Sequence, residues 1–421
     1  MTGVIESAQG MPRSRICLLH PFDPRGSKVG GLETYIRDFI GFHPPDVDVL
    51  LVGVDGRGDL ALGRVHPTEF RGRQFDFLPI LHYSDESARE AARTLRESIT
   101  LQFFAALLRR FGTVARAIRA RPCSLDLRRV EYAWVPVTLG VPFIQMLHGE
   151  GAPKLRMDSL LKKYRFVHQL GERFAMARCR KFLCVNPFIT ERLQQAYPRH
   201  RDKIDTLWTW ANTDIFRPQP MPDAGGAFRI AFAGRLDEFK NPALMFRVIA
   251  QLRRLLHDGV EFHYIGTSDP ERFAEFAAIA DVTIRHGFKD AAGMAATLAQ
   301  VHAGILTSEF EGMPRCVLET LAVGRPVVAM HLPQLDVVIR DGESGHIVPR
   351  GGAPQALVEA LAEKFLAVRQ AILHDRIDPH AVARVVEPFT PRTQLARVFH
   401  FHREIQHTRT DAPMRSARTA P

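Results

Sequence analysis

The hydrophobic and polar residues of this chain alternate between short apolar runs and amphipathic stretches. Apolar runs of five or six residues predict strands, and the helical periodicity between them predicts helices. After residue 227 the predicted strands are Phe228–Ala233, Glu261–Ile265, Val282–His286, Ala303–Thr307 and Pro326–Met330. The predicted helices between them are Asn241–Leu256, Ala291–Ala299 and Arg315–Val323. Strands and helices in alternation, with continuously apolar strands, predict a parallel sheet covered on both faces.

The first half of the chain has the same pattern in a less regular form. Its predicted strands are Ile16–His20, Val47–Val54, Pro142–Leu147 and Lys181–Val185, with short β candidates near Val65 and Phe75. Its predicted helices begin near Leu32 and cover Ala88–Ala120 and Lys154–Arg180. Asn186 before Pro187 predicts a further helix start, because the first helical position does not need the N–H that proline lacks. We therefore expect two α/β domains with a cleft between them.

A cluster of proline and glycine at residues 217–226 marks the expected linker between the domains. The predicted organisation is an N-terminal domain at 12–216 and a C-terminal domain at 227–390. A C-terminal helix at 391–407 and a disordered tail at 408–421 follow in this prediction.

The composition of the 421 residues is that of a globular protein, with 46% apolar and 24% charged residues. No apolar run approaches the roughly 20 residues of a spanning helix, and the first ten residues lack the pattern of a secretory signal. We therefore expect a cytoplasmic location. The five cysteines have no metal-ligand spacing and are expected to be reduced thiols.

The positive charge is concentrated in the first half of the chain. Residues 1–215 contain 32 Lys and Arg against 23 Asp and Glu, a net charge of +9, whereas residues 216–421 contain 24 against 23. Arginines and large apolar residues are interleaved over 93–121, and 154–181 is also basic. Such helices can lie on an anionic lipid surface; core-facing helices with a solvated back are the alternative.

The stretch from Ser308 to Glu319 carries two carboxylates, Glu311 and Glu319, between a predicted strand and a predicted helix. In an open α/β sheet this junction lies at the carboxyl ends of the strands, where ligands bind. Gly312 lets a ligand approach the backbone, and Pro314 presets the helix start. Simple helix capping is the alternative, because the helix dipole alone favours a carboxylate near the N-terminus.

Two cations, Arg235 and Lys240, follow the strand Phe228–Ala233 and are five positions apart. A guanidinium fork and an ammonium point charge can converge on a pair of phosphates. Two solvated surface cations are the alternative.

Two further turns carry candidate ligand-binding groups. Gly30 and Gly31 lie between a predicted strand and helix, where backbone N–H groups can bind an anion. A tight turn explains them equally well, and the third glycine of a dinucleotide fingerprint is missing, which disfavours a dehydrogenase. His148 directly follows the strand Pro142–Leu147, and we weigh a ligand-binding role against a structural one. No zinc spacing, P-loop or serine elbow is present.

Taken together and in their order, these stretches resemble the family-4 retaining glycosyltransferases of the GT-B fold, over roughly residues 15–390. The specific motifs are Gly234-Arg235 with Lys240-Asn241, the pair Glu311 and Glu319 as an E-x7-E motif, Gly324–Val328 and Asp341–Gly345. The resemblance implies an α/β protein of two Rossmann-like parallel-sheet domains that face a central cleft. The acceptor would bind on the N-terminal domain and the nucleotide-sugar on the C-terminal domain.

The resemblance also implies a role for each site residue. Arg235 and Lys240 would hold the diphosphate of the nucleotide-sugar, and Glu319 would bind its ribose hydroxyls. Glu311 would contact hydroxyls of the transferred sugar, and His148 its outer hydroxyl. The predicted catalytic residues are thus Arg235, Lys240, Glu311 and His148. The predicted residues that bind the nucleotide-sugar are Gly31, Gly234, Gly287, Phe288, Gly312, Met313, Pro314 and Glu319, with no metal ligand and no cofactor.

The implied reaction is hexosyl transfer with retention from a nucleotide-sugar to a glycan or lipid-linked acceptor, in the synthesis of envelope polysaccharide or glycolipid. We expect the protein on the cytoplasmic side, peripheral on an anionic membrane, with no nucleic-acid partner. A GT-B relative that does not transfer sugar, either a sugar-nucleotide epimerase or a protein that only binds, is the alternative. Nucleic-acid binding would explain the charge but not the paired glutamates.

Three segments depart from the family pattern. The common Gly-Gly-x-x-Glu is replaced by Leu332–Asp336, which contains no glycine. Trp210–Phe216 stands where relatives often have Asn-Gly-Val-Asp, and Gly266–Ser268 lacks the second glycine of a G-x-G turn.

Overall fold

The structure is a computed structural model that describes residues 13–26, 30–84, 97–147, 165–223, 225–257 and 259–410. The described residues form two compact units that are discontinuous in sequence. The first unit comprises 13–147, 165–183 and the C-terminal residues from 395, and the second comprises 184–394. Each unit is built on its own β-sheet.

The sheet of the first unit places its first seven strands in the order β3-β4-β2-β1-β5-β6-β7. The pairs β1–β2, β1–β5, β2–β4 and β5–β6 are parallel, and β3–β4 is antiparallel. The strands are β1 (Ser14–Leu19), β2 (Val47–Asp55), β3 (His66–Phe70), β4 (Arg73–His82), β5 (Cys123–Leu127), β6 (Phe143–Leu147) and β7 (Lys181–Cys184). Almost every residue of β1, β2, β5 and β6 is buried, because helices cover both faces of a parallel sheet.

The first unit contains six α-helices in its described residues, five between or after its strands and one at the C-terminus. They are α1 (Gly31–Phe42), α2 (Ile99–Arg109), α3 (Phe111–Arg119), α4 (Trp134–Leu139) and α5 (Arg165–Arg178), and the C-terminal helix α12 (Pro391–Thr410) adds its residues from Leu395. The fully buried His402 of α12 bonds Ser124 of β5, with Nδ1 2.8 Å from Oγ. The last helix therefore belongs to the core of the first unit.

The structure differs from the sequence prediction at two helices of this unit. Over the predicted helix Ala88–Ala120 the chain forms two helices that are separated at Arg110, and residues 85–96 lie outside the described part. Phe104 and Phe111, one on each side of the break, both contact the ring of Trp134, at 5.8 and 5.4 Å. Packing on one tryptophan thus accompanies the interruption. The C-terminal helix also continues to Thr410, past the predicted start of a disordered tail.

The sheet of the second unit has the order β11-β10-β9-β12-β13-β14, and all its neighbouring strands are parallel. Its strands are β9 (Phe228–Ala233), β10 (Val260–Ile265), β11 (Thr283–Arg285), β12 (Ala303–Leu306), β13 (Val327–Met330) and β14 (Gly345–Val348). Its helices are α7 (Pro242–Leu255), α8 (Ala291–Ala299), α9 (Arg315–Ala322), α10 (Pro354–Leu373) and α11 (Pro379–Arg384). Before this sheet, the second unit also contains α6 (Pro187–Ala196) and the short strand β8 (Ile204–Thr206).

The elements predicted between 228 and 330 are confirmed to within two residues at each end. Asn186 is likewise confirmed as the residue that caps a helix, because its Oδ1 accepts a hydrogen bond from the N–H of Ile189 at 2.9 Å. The sequence analysis missed β5, β14 and the long helix α10. Both strands are only four or five residues long, which leaves little periodicity to detect.

Candidate functional site

The turn after β9 places Lys240 at the carboxyl ends of the strands of the second unit. Gly234 ends the strand with φ +142, and Asn241 takes the left-handed conformation with φ +51. Asn241 then caps α7 by accepting a hydrogen bond from the N–H of Leu244 at 3.2 Å. Thr307, directly after β12, donates its hydroxyl to the carbonyls of Lys240 and Asn241, at 2.8 and 3.1 Å. These hydrogen bonds join the loops that follow β9 and β12, which are neighbours in the sheet.

Lys240 and Glu311 form an ion pair at this edge of the sheet. The Lys240 Nζ lies 2.6 Å from the Glu311 Oε1, and both side chains are 14% exposed. The hydroxyl of Ser308 donates to the same carboxylate oxygen at 3.0 Å. The structure therefore brings a predicted phosphate-binding cation together with a predicted sugar-binding carboxylate.

Burial and charge oppose each other at Lys240. Burial by itself lowers the pKa of Lys240, but the nearby Glu311 carboxylate outweighs it and holds the pKa above the ordinary lysine value. The ammonium is therefore charged throughout the neutral range. Burial raises the pKa of the adjacent Cys316 thiol to about 12, so this cysteine is a neutral thiol beside the pair. None of the five cysteines forms a disulfide.

Arg235 has a different environment from Lys240. Its side chain is 74% exposed, and its guanidinium NH2 lies 2.9 Å from the Asp237 Oδ2. The prediction that both cations converge on one diphosphate stays a prediction.

Glu319 lies on the second turn of α9, on the same helix face as Arg315. The Arg315 Nε is 3.4 Å from the Glu319 Oε1, an (i, i+4) pair, and both side chains are less than one-fifth exposed. Glu319 is thus a carboxylate paired with the first residue of a helix that begins directly after Pro314. The sequence analysis did not single out Arg315, although its spacing from Glu319 is readable from the sequence.

Side chains from three other segments hold the loop between β12 and α9. Gln334 donates its amide to the carbonyl of Glu311 at 2.8 Å, and Asn186 donates to the carbonyl of Gly312 at 2.7 Å. Arg350 donates to the carbonyl of Ser308 at 3.1 Å and to that of His331 at 2.6 Å. These contacts between distant positions have no local sequence signal, and the sequence analysis missed them as parts of the site.

Gly287 and Phe288, which are predicted to bind the nucleotide-sugar, follow the edge strand β11. Gly287 has φ +65 and open space where a Cβ would be, and Phe288 is 49% exposed. The ring of His286 stacks on His263, with its Nε2 3.1 Å from the His263 Nδ1. Burial lowers the pKa of both histidines, so this pair is neutral near pH 7.

Of the two remaining predicted site residues, one lies in the first unit and the other lies outside the described residues. Gly31 is the first residue of α1 in the first unit and is exposed. His148 lies outside the described residues, so its predicted contact with the sugar stays a prediction. In the described ranges no group of three or more His, Cys, Asp or Glu side chains is arranged to hold a metal ion. No helix in the same ranges is long and apolar enough to cross a bilayer.

Comparison with known families finds a match within the second unit. Residues 227–365, which contain Lys240, Glu311 and Glu319, match the family model described as Glycosyl transferases group 1. This part of the chain is therefore similar to group 1 glycosyltransferase domains. The predicted resemblance is confirmed at this level.

Curated relatives and solved structures are similar to the chain. D-inositol 3-phosphate glycosyltransferase of Paenarthrobacter aurescens is 25% identical over 54% of this chain and 59% of its own length. Phosphatidyl-myo-inositol mannosyltransferase of Mycobacterium leprae is 33% identical over 35% of this chain and 39% of its own. The chain thus spans about half the length of these relatives.

The pneumococcal O-GlcNAc transferase GtfA, solved with UDP and GlcNAc, has a TM-score of 0.62 at 12% identity, over 94% of this chain and 99% of that one. At this identity the likeness shows the fold. It confirms the predicted GT-B class, and each of the two α/β units has a parallel sheet, apart from the antiparallel pair β3–β4 in the first unit.

Proposed function

We propose that the protein is a retaining hexosyltransferase that moves a sugar from a nucleotide diphosphate to a glycan or lipid-linked acceptor. The observation that supports this most directly is the partly buried Lys240–Glu311 pair within the segment that matches the glycosyltransferase family model. An ammonium and a carboxylate in contact at the carboxyl ends of parallel strands suit a ligand that carries phosphates next to sugar hydroxyls.

The proposed chemistry needs a positive charge beside the leaving diphosphate. When the bond between the anomeric carbon and the phosphate oxygen breaks, negative charge grows on the diphosphate and positive charge on the sugar ring. A cation that is already fixed beside the phosphate, such as Lys240, stabilises that state without reorganisation. In the proposed front-face mechanism the acceptor hydroxyl attacks from the side of the leaving group and gives its proton to the departing phosphate, so the configuration is retained.

Lys240 and Arg235 would take the part that a divalent cation has in other transferases. Lys240 is held in place by Glu311, whereas the exposed Arg235 can turn from Asp237 towards a bound diphosphate. Glu311 would then share its oxygens between Lys240 and a sugar hydroxyl, and Glu319 would accept hydrogen bonds from the ribose. No cofactor is required in this scheme, because the nucleotide-sugar is a co-substrate.

The acceptor is proposed to be a lipid-linked or envelope glycan that is reached at a membrane surface. The two curated relatives are named for inositol phosphate and phosphatidyl-inositol acceptors, which supports a phosphorylated or lipid-anchored polyol as the first acceptor class to test. In the first unit, Leu101 and Leu108 stand exposed on α2 near Arg109. Leu170 and Phe174 are exposed on α5, and apolar side chains among arginines suit an anionic bilayer.

The proposal is tested by incubating the full chain with a panel of nucleotide-sugars labelled in the sugar, with and without polyol-phosphate and lipid-linked acceptors. A new glycosidic bond of retained configuration, together with release of the nucleoside diphosphate, supports the proposal. Isomerised nucleotide-sugar would instead identify an epimerase. Binding without turnover across the whole panel would identify a protein that only binds.

A further inference from the structure

Two carboxamide side chains from different elements hold consecutive carbonyls of the loop before α9. Gln334, in the short turn after β13, donates to the Glu311 carbonyl, and Asn186, directly before α6, donates to the Gly312 carbonyl. Both are almost fully buried, Asn186 at 3% and Gln334 at 4% exposure. Their positions are therefore fixed by packing.

These two hydrogen bonds also fix two N–H groups. In a trans peptide the C=O of one residue and the N–H of the next lie in one plane and point in opposite directions. The bond from Gln334 therefore directs the N–H of Gly312 away from Gln334, and the bond from Asn186 directs the N–H of Met313 away from Asn186. Neither N–H donates to any residue in the described ranges.

The side chain of Glu311 is fixed at the same time. Its carboxylate accepts hydrogen bonds from Lys240 and Ser308, while its carbonyl accepts from Gln334. The carboxylate and the backbone carbonyl of Glu311 are thus both held by hydrogen bonds. The residue that follows is Gly312, which has no side chain. A ligand that meets the Glu311 carboxylate and the Lys240 ammonium would approach this glycine without obstruction from a side chain.

We propose that Gln334 and Asn186 are positioning residues that aim the Gly312 and Met313 N–H groups at the diphosphate or sugar oxygens of the bound nucleotide-sugar. This inference rests on the proposed function and deepens it. Neither side chain touches the ligand; each acts through the peptide that it orients. Preorganised N–H groups of this kind bind oxygen more strongly than mobile ones, because their orientation is fixed before the ligand arrives.

Gln334 lies in Leu332–Asp336, the segment that departs from the Gly-Gly-x-x-Glu pattern of the family. In this segment the amide of Gln334 is the side-chain donor to the Glu311 carbonyl. Asn186 has a second role, because its Oδ1 caps α6 through the Ile189 N–H. A useful variant at this position must therefore keep the capping oxygen.

The variants follow from these contacts. Gln334→Met keeps the length of the side chain and removes its N–H donor. Asn186→Asp keeps an oxygen for the Ile189 N–H, since aspartate caps helices well, and removes the donor to Gly312. Gln355→Met is the matched control, because Gln355 is an exposed glutamine on α10 of the same unit.

The measurement is the dissociation constant of the full chain for uridine, guanosine and adenosine diphosphates, for UDP-glucose and GDP-mannose, and for the bare nucleosides. We expect each positioning variant to bind its diphosphate or nucleotide-sugar about tenfold more weakly and the nucleoside as tightly as the wild type does. Gln355→Met should bind all of these ligands as tightly as the wild type does.

Equal weakening for nucleoside and diphosphate would overturn the inference, since it would mean a general loss of the fold. Wild-type affinities for the diphosphates and nucleotide-sugars in both variants would also overturn it. A wild-type protein that binds none of these nucleotides would instead overturn the proposed function, and this inference with it.

Discussion

The ammonium of Lys240 lies 2.6 Å from the carboxylate of Glu311, although 71 positions separate the two residues in the chain. Each residue follows a different strand, and the hydroxyl of Thr307 joins the two strand ends by bonding the Lys240 carbonyl. The pair therefore depends on the parallel arrangement of β9 and β12, and it puts opposite charges where a charged ligand can meet both.

Lys240→Ala should reduce sugar transfer by about 10²- to 10³-fold, because the leaving diphosphate loses a preorganised cation. The change also leaves the shielded Glu311 carboxylate without its ion-pair partner, which should cost about 3 kcal/mol of stability. Steady-state turnover and chemical denaturation measure the two effects. Adding Glu311→Gln to Lys240→Ala should restore stability but not turnover. Near-wild-type turnover of Lys240→Ala would remove Lys240 from the site.

Glu319→Ala should abolish most sugar transfer, because the ribose hydroxyls of the nucleotide-sugar lose their hydrogen-bond acceptor. The specific signature is the response to a 2′-deoxynucleotide, measured as a dissociation constant. The wild type should bind the deoxy form about tenfold more weakly than the ribose form, whereas Glu319→Ala should scarcely distinguish them. Glu363→Ala on α10, an exposed glutamate, is the control. If Glu319→Ala keeps the full preference for ribose, another group binds the sugar hydroxyls.

His302 should make the second unit less stable in acid. Its Nδ1 accepts a hydrogen bond from the Arg229 N–H at 2.9 Å and its Nε2 lies 3.0 Å from the Asp223 carbonyl, so the neutral ring satisfies both partners. Burial lowers the pKa of His302 to about 4. Between about pH 6.5 and about pH 4 the unfolded chain therefore binds a proton that the folded chain does not, and stability falls as the pH falls.

The loss from this histidine should approach roughly 3 kcal/mol at the acid end of that range, since each pKa unit corresponds to about 1.4 kcal/mol. His302→Gln retains an acceptor and a donor but does not titrate. Urea denaturation of both proteins at several pH values gives the difference. The variant should lose less stability than the wild type on acidification, and parallel curves would refute the role of His302.

The exposed leucines of α2 should contribute to binding of anionic vesicles. The opposite face of α2 carries the buried Phe103 and Leu107, so the core-facing alternative is correct for that face and leaves Leu101 and Leu108 outside. Leu101→Ser with Leu108→Ser should reduce co-sedimentation with phosphatidylserine vesicles several-fold. Leu255→Ser, an exposed leucine of the second unit, should not. Equal binding of the wild type to anionic and neutral vesicles would exclude this surface.

Gly345→Ala should destabilise the second unit strongly. Gly345 has φ +144, and an added Cβ would lie 1.9 Å from the carbonyl oxygen of Val327 on the paired strand. Gly342→Ala is the matched control, because Gly342 has φ +76 but open space around a Cβ. We expect about 1 kcal/mol from strain at Gly342 and more than about 3 kcal/mol at Gly345, both from chemical denaturation. Similar losses at the two positions would show that the close approach to Val327 is unimportant.

Much of the second unit could be predicted from its sequence, because each element carries its own signal. The apolar run Phe228–Ala233 became β9 with the same bounds, and the stretch Ala291–Ala299 became α8 with the same bounds. Proline and asparagine at the start of α6 and α7 marked both helix starts locally. The first unit was harder, because β5 is short and the interruption at Arg110 accompanies packing on Trp134, which lies outside that stretch.

By itself the sequence determined the alternation of strands and helices, the helix starts and the residue types that follow each strand, since these depend on neighbours within a few positions. The tertiary structure alone decided which of those residues meet. It paired Lys240 with Glu311, left Arg235 exposed, and brought Gln334 and Asn186 to consecutive carbonyls. Such contacts depend on strand order and on the packing of segments that are far apart in the chain. A local pattern of residues contains no information about which distant segment will pack against it.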